Sequence, residues 1–192
     1  MNNIKEEKYL NIYMIKAFIY SFVIGCFTHM FGLINVLHNY DNIEVQLQGY
    51  GTGIESGRWL LSILGDTFIK LGFGNNLPWI CGILFIVLIS ISLAFIVDIF
   101  EITEKKYIFL TAACFTTFPT ITSTLFFRYT AIYYGIAILL AVISAWIVIK
   151  TENKCTGVMI SSLCMAFSLG FFRFYLKSGS HTHFRGERGG GR

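Results

Sequence analysis

Apolar residues in this chain gather into long runs separated by short polar stretches, without the strict alternation of a half-buried strand. Five runs approach the roughly 20 apolar residues that a helix needs to cross a bilayer. They lie at about 14–34, 78–97, 107–127, 129–149 and 155–176. Lipid offers a backbone no hydrogen-bond partners, so runs of this kind read as helices. A β-barrel would show alternating segments of about ten residues instead. The pattern predicts an all-α fold: a polytopic integral membrane protein with about five transmembrane helices.

One long stretch, residues 35–77, interrupts this pattern. From His38 to Gly57 it is irregular and glycine-rich. From Arg58 to Leu71 it takes a helical period. Trp59, Leu60, Ile63, Leu64, Phe68 and Leu71 fall on one face, and Ser62, Asp66 and Lys70 on the other. That predicts an amphipathic helix lying in the membrane interface. Asp66 precedes Lys70 by four residues, the favourable order for an ion pair along a helix.

Composition agrees. The 192 residues are 55% hydrophobic and 14% charged, where a soluble domain carries about 25% charged residues. Mean hydropathy is +0.63. A disordered chain, which needs low hydrophobicity, is excluded. The five cysteines, Cys26, Cys81, Cys114, Cys155 and Cys164, all sit in or beside the apolar runs. An odd number of such thiols speaks for packing rather than a disulfide framework or a zinc site.

Charge sets an orientation. With the N-terminus in the cytoplasm, the inside segments hold Lys5, Lys8, Lys105, Lys106, Lys150 and Lys154, and the outside ones hold Arg58, Lys70 and Arg128. That bias places the N-terminus inside and residues 35–77 outside. Glu6, Glu7 and the length of the first run argue against a cleaved signal peptide. The net charge of +4 includes four positive charges and one negative in residues 177–192. It therefore gives no reason to expect a nucleic-acid partner.

The candidate chemistry concentrates in the outside loop. Ser56 is a good N-cap, and Gly57 and Arg58 open the first turn of the amphipathic helix. Free N–H groups, the helix dipole and a guanidinium fork together suit a phosphate, and the blander role for Arg58 is a pair with Glu55 or with headgroups. Gly49, Gly51, Gly53 and Gly57 match neither a Walker loop nor a dinucleotide fingerprint. Asp41 and Glu44 are candidates for general base, although most loop carboxylates are merely solvated.

The third run is rich in hydroxyls, with Thr111, Thr116, Thr117, Thr120, Thr122, Ser123 and Thr124 around Pro119. Hydroxyls can satisfy backbone freed by a proline, so this run is expected to face protein or a water-filled cavity. It ends in a tight turn at Arg128. His29 is read as a satisfied interior contact, and Arg173 as inward-facing. No metal cluster, Ser-His-Asp set or Cys-His pair is visible.

Four segments carry a family resemblance: NYDNIEVQLQGYGTGIESGRWLL, NLPWICGIL, TFPTITSTLFF and SLGFFRFYL. From about Thr28 to Leu176 the chain resembles the bacterial type II glucosyltransferases, membrane enzymes related to those that modify O-antigen. The resemblance implies a GT-C-like fold, and a sugar passed from a polyprenyl-phosphate donor to a cell-envelope polysaccharide or glycolipid in the bacterial inner membrane. It implies Asp41 as base with Glu44 second, and Arg58, Arg128, Ser56 and Gly57 around the donor phosphate. It calls for no cofactor, though some GT-C enzymes use a divalent metal. Residues 177–192 depart abruptly from the composition upstream and read as a disordered, frameshifted tail. A small transporter or flippase subunit and a non-catalytic membrane fragment are the alternatives.

Overall fold

A computed structural model describes residues 2–35, 58–70 and 78–171. All regular structure among them is helical. The elements are α1 (Asn2–Thr28), α2 (Met30–Ile34), α3 (Trp59–Lys70), α4 (Pro78–Ile99), α5 (Lys105–Thr116), α6 (Pro119–Phe126), α7 (Arg128–Lys150) and α8 (Lys154–Phe171).

The described helices include candidates for membrane spans, and two of the apolar runs are broken. Trp79–Ile99, Thr130–Lys150 and Lys154–Phe171 are long and apolar enough to cross a membrane. The third run divides into α5 and α6, bent by 42°, and becomes a fourth crossing if the pair forms one span. Pro119 is the first residue of α6, where its missing N–H costs nothing. The first run divides at His29, leaving Ile12–Thr28 as a shorter apolar helix. Among the described residues, three helices are by length and composition able to cross a membrane, or four with that pair as one span.

Helix directions follow from which residues meet. Gly25 and Ser21 of α1 lie against Ile86 and Ser90 of α4, so these two helices run antiparallel. Gly135 of α7 lies against Phe85 and Leu88, while Trp146 lies against Phe95, so α4 and α7 run parallel. Ser144 and Ser168 donate to the carbonyls of Ser161 and Ala137 at 2.9 and 2.8 Å, so α7 and α8 are antiparallel. The order across the bundle is α5, α1, α4, α7, α8.

Small residues make these close approaches possible. Ala17, Ser21 and Gly25 repeat every four residues along one face of α1. A Cβ on Gly25 would stand 2.8 Å from Ile86 and 3.0 Å from Thr116. Bundles in lipid gain no hydrophobic drive between helices, so such seams and the hydrogen bonds across them supply the cohesion. Ser21 Oγ shares a 2.8 Å hydrogen bond with Thr116 Oγ1, and Ser90 Oγ donates to Ser21 Oγ at 3.2 Å.

α3 forms where the sequence reading put a helix, and differs from it at Ser62. It is docked on α7 and α8 through small residues as well as lying beside the membrane-spanning helices. Its buried residues are Leu61, Ser62 and Gly65, and Ser62, assigned to the polar face, is 1% exposed. Trp59, Ile63 and Phe68, from the apolar face, remain exposed, as a helix in the membrane interface requires. Leu61 joins Tyr133, Ala137 and Phe171 in a core cluster. Gly170 admits the Trp59 ring so closely that a Cβ there would stand 3.0 Å from it.

Candidate functional site

The C-terminus of α2, the N-terminus of α4, the α6–α7 turn and the C-terminus of α8 all fall at one end of the bundle, as the helix directions require. Arg58 immediately precedes α3 at that end. Its Nε is buried with no hydrogen-bond partner among the described residues. A guanidinium N–H withdrawn from water without an acceptor is costly, so this atom marks a place where an anion would be stabilised.

The structure places the other sequence candidates unevenly. Asp41, Glu44, Ser56 and Gly57 lie outside the described residues, as do Arg173 and residues 177–192. Arg128 is the first residue of α7, as the tight turn required, and its side chain is likewise outside the described set. The turn is held by Thr130, which is buried. Its N–H and its Oγ1 both donate to the Phe127 carbonyl, at 2.9 and 3.0 Å.

His29 behaves as expected, with a specific task. It stands at the α1–α2 break, buried, and its Nε2 donates 3.0 Å to the Thr116 carbonyl. That carbonyl lies at the end of α5, where the bend before Pro119 interrupts the helical ladder. Two broken helices thus meet, and a side chain from one satisfies the backbone of the other. Below them Thr116, Ser21 and Ser90 continue the polar track into the bundle. Not every hydroxyl around Pro119 faces protein: Thr117, Thr120, Thr122 and Ser123 are exposed.

Beside His29, between α2 and α6, lies a cavity of about 180 Å³. Thr28, His29, Phe31, Gly32, Thr122 and Phe126 are among its walls.

A charge cluster at the opposite end escaped sequence reasoning. α4 extends beyond the expected charge-free run to include Asp98, which is buried. Trp146 Nε1 donates to Asp98 Oδ2 at 2.6 Å, and Lys150 Nζ stands 3.7 Å from the same oxygen and 3.7 Å from Glu101. The spacing of Trp146 and Lys150, four apart on one helix, was the available signal. Among the described residues no group of His, Cys, Asp or Glu is disposed to hold a metal ion.

A multi-helix membrane protein with a half-buried arginine at one end of its bundle is the class that fold and site define. The glucosyl transferase GtrII family model matches residues 30–177. The chain belongs to that family, which makes it a glycosyltransferase by descent. No curated protein and no solved structure matches it.

Proposed function

We propose that the protein transfers a glucosyl or other hexosyl unit from a polyprenyl-phosphate donor to a cell-envelope polysaccharide or glycolipid, in the bacterial inner membrane. The observation that carries this reading is the buried, unpartnered Nε of Arg58 at the loop end of a bundle belonging to a glucosyltransferase family. Arg58 takes the donor phosphate, assisted by Arg128 and by the N–H groups around Ser56 and Gly57. Asp41 is the base, with Glu44 second. The loop holding them faces outward and the N-terminus lies in the cytoplasm.

In the reaction an acceptor hydroxyl oxygen bonds to the anomeric carbon, and the bond from that carbon to the phosphate oxygen breaks. Polyprenyl phosphate departs, and the hydroxyl proton passes to Asp41. A positioned carboxylate is worth about 10²–10⁴ in rate. Cationic donors aimed at the leaving phosphate act where its charge develops.

The test is sugar transfer in membrane vesicles carrying the full chain and supplied with polyprenyl-phosphate glucose. Asp41→Asn should lower transfer by at least about 10²-fold while insertion and expression are unchanged. Arg58→Ala should chiefly weaken use of the donor. Full activity in Asp41→Asn would remove the base from this reading.

A further inference from the structure

The first turn of α3 is pressed onto the last turn of α8. The Arg58 carbonyl accepts from the Ser62 N–H at 3.2 Å, which ties Arg58 to the helix, and Ser62 is buried. The next two residues, Trp59 and Leu60, lie against Gly170. The Trp59 ring also meets that of Phe167, one turn back along α8, with centroids 6.5 Å apart. Phe171, beside Gly170, is buried and stacks on Tyr133 of α7 at 6.2 Å. The surface that receives α3 is thus itself anchored on α7.

Gly170 is not there for the sake of its own helix. It lies within α8, and its backbone is not in the left-handed region that calls for glycine, so alanine would suit the helix better. What excludes alanine is the approach of α3. A Cβ at Gly170 would stand 3.0 Å from two atoms of the Trp59 ring and 3.1 Å from the Leu60 Cβ. The ring can tilt away. The Leu60 Cβ is bonded to the α3 backbone and moves only with it, so a methyl at this position shifts main chain two residues from Arg58. Arg58 hangs from that turn, with its Nε withdrawn from water and without an acceptor among the described residues.

We infer that Gly170 is a positioning residue for the donor phosphate: through Trp59 and Leu60 it fixes where Arg58 stands. This rests on the reading of Arg58 as the group that takes that phosphate, and adds the contact that holds it in place. An arginine fork meets phosphate in a fixed geometry, and a misplacement of about 1 Å can cost a site about 10²-fold.

The experiment measures sugar transfer in membrane vesicles carrying the full chain, over a range of polyprenyl-phosphate glucose. Gly170→Ala should raise KM for the donor about tenfold, with kcat little changed. In an Arg58→Ala background the same substitution should add nothing, because residues that act as one unit are not additive. Gly25→Ala, which overpacks the α1–α4 seam on the far side of α4 and α7, should leave KM unchanged. Where Gly170→Ala does not accumulate in the membrane, Trp59→Leu empties the same contact and is put through the same cycle, with the same rise expected. No rise in KM, a rise that persists in full without Arg58, or an equal rise in Gly25→Ala makes Gly170 a packing residue only and leaves the donor reading standing. An unchanged KM in Arg58→Ala itself overturns the donor reading, and the positioning with it.

Discussion

Asp98 holds its place near the apolar layer because two neighbours on α7 meet it. The indole N–H of Trp146 donates to one oxygen, and Lys150 brings a compensating charge. A buried carboxylate is tolerated only with such partners. Asp98→Ala leaves the indole N–H without an acceptor, and a loss of about 1–3 kcal/mol is expected in detergent unfolding. Asp98→Asn retains an acceptor and should lose less. Glu101, three residues on, has φ of 50°, the left-handed position that ends α4. The N–H of Ile102 reaches back to the Val97 carbonyl at 3.0 Å, and that of Glu101 to Asp98 at 3.3 Å, a Schellman closure in which glycine is the usual residue. Its bond to Lys150 is exposed and worth at most about 1 kcal/mol. Glu101→Gly should therefore stabilise the protein slightly, by about 0.5 kcal/mol, read as a higher unfolding temperature.

Among the elements, α1 and α2 show two opposite uses of glycine. Gly25→Ala forces a methyl onto Ile86 and Thr116 and should cost about 1–3 kcal/mol. Gly32→Ala meets open space and should be neutral or stabilising by up to about 1 kcal/mol. Unfolding of the two variants side by side checks the pair. α3 shows what periodicity alone leaves undecided. Its period marks the stripe of large apolar residues, which stays exposed, and leaves unmarked the stripe of small residues that packs. Trp59, Ile63 and Phe68 lose nothing by meeting lipid, whereas Ser62 and Gly65 let α3 approach α7 and α8 closely. The continuous apolar runs were legible for the converse reason: length and the absence of charge are enough to mark them. Pro119 announced a break, and the matching break at His29 had no such marker. It becomes visible only when the Thr116 carbonyl is seen to need a donor.

At the scale of the molecule, the family and the loop end of the bundle were readable from motifs, while the neighbours of each helix were not. Nothing local to α4 and α7 declares that they lie side by side in the same direction, with α5 and α6 made between them. Asp98 was missed on the same account, since its partners are 48 residues distant in the chain at Trp146. The arrangement also imposes an order in time. α3 leaves the ribosome early, but its seat is built from Phe167, Gly170 and Phe171 at the far end of α8. Roughly a hundred residues separate the two, which at about 5–20 residues per second is about 5–20 s of synthesis. Nascent chains arrested before residue 154 should leave α3 open to protease, and chains that include α8 should protect it. Arg58, carried at the head of α3, therefore reaches its final position only after the last described helix has been made. The growing polypeptide keeps this arginine unassembled until then, a clock set by gene order rather than by any regulator.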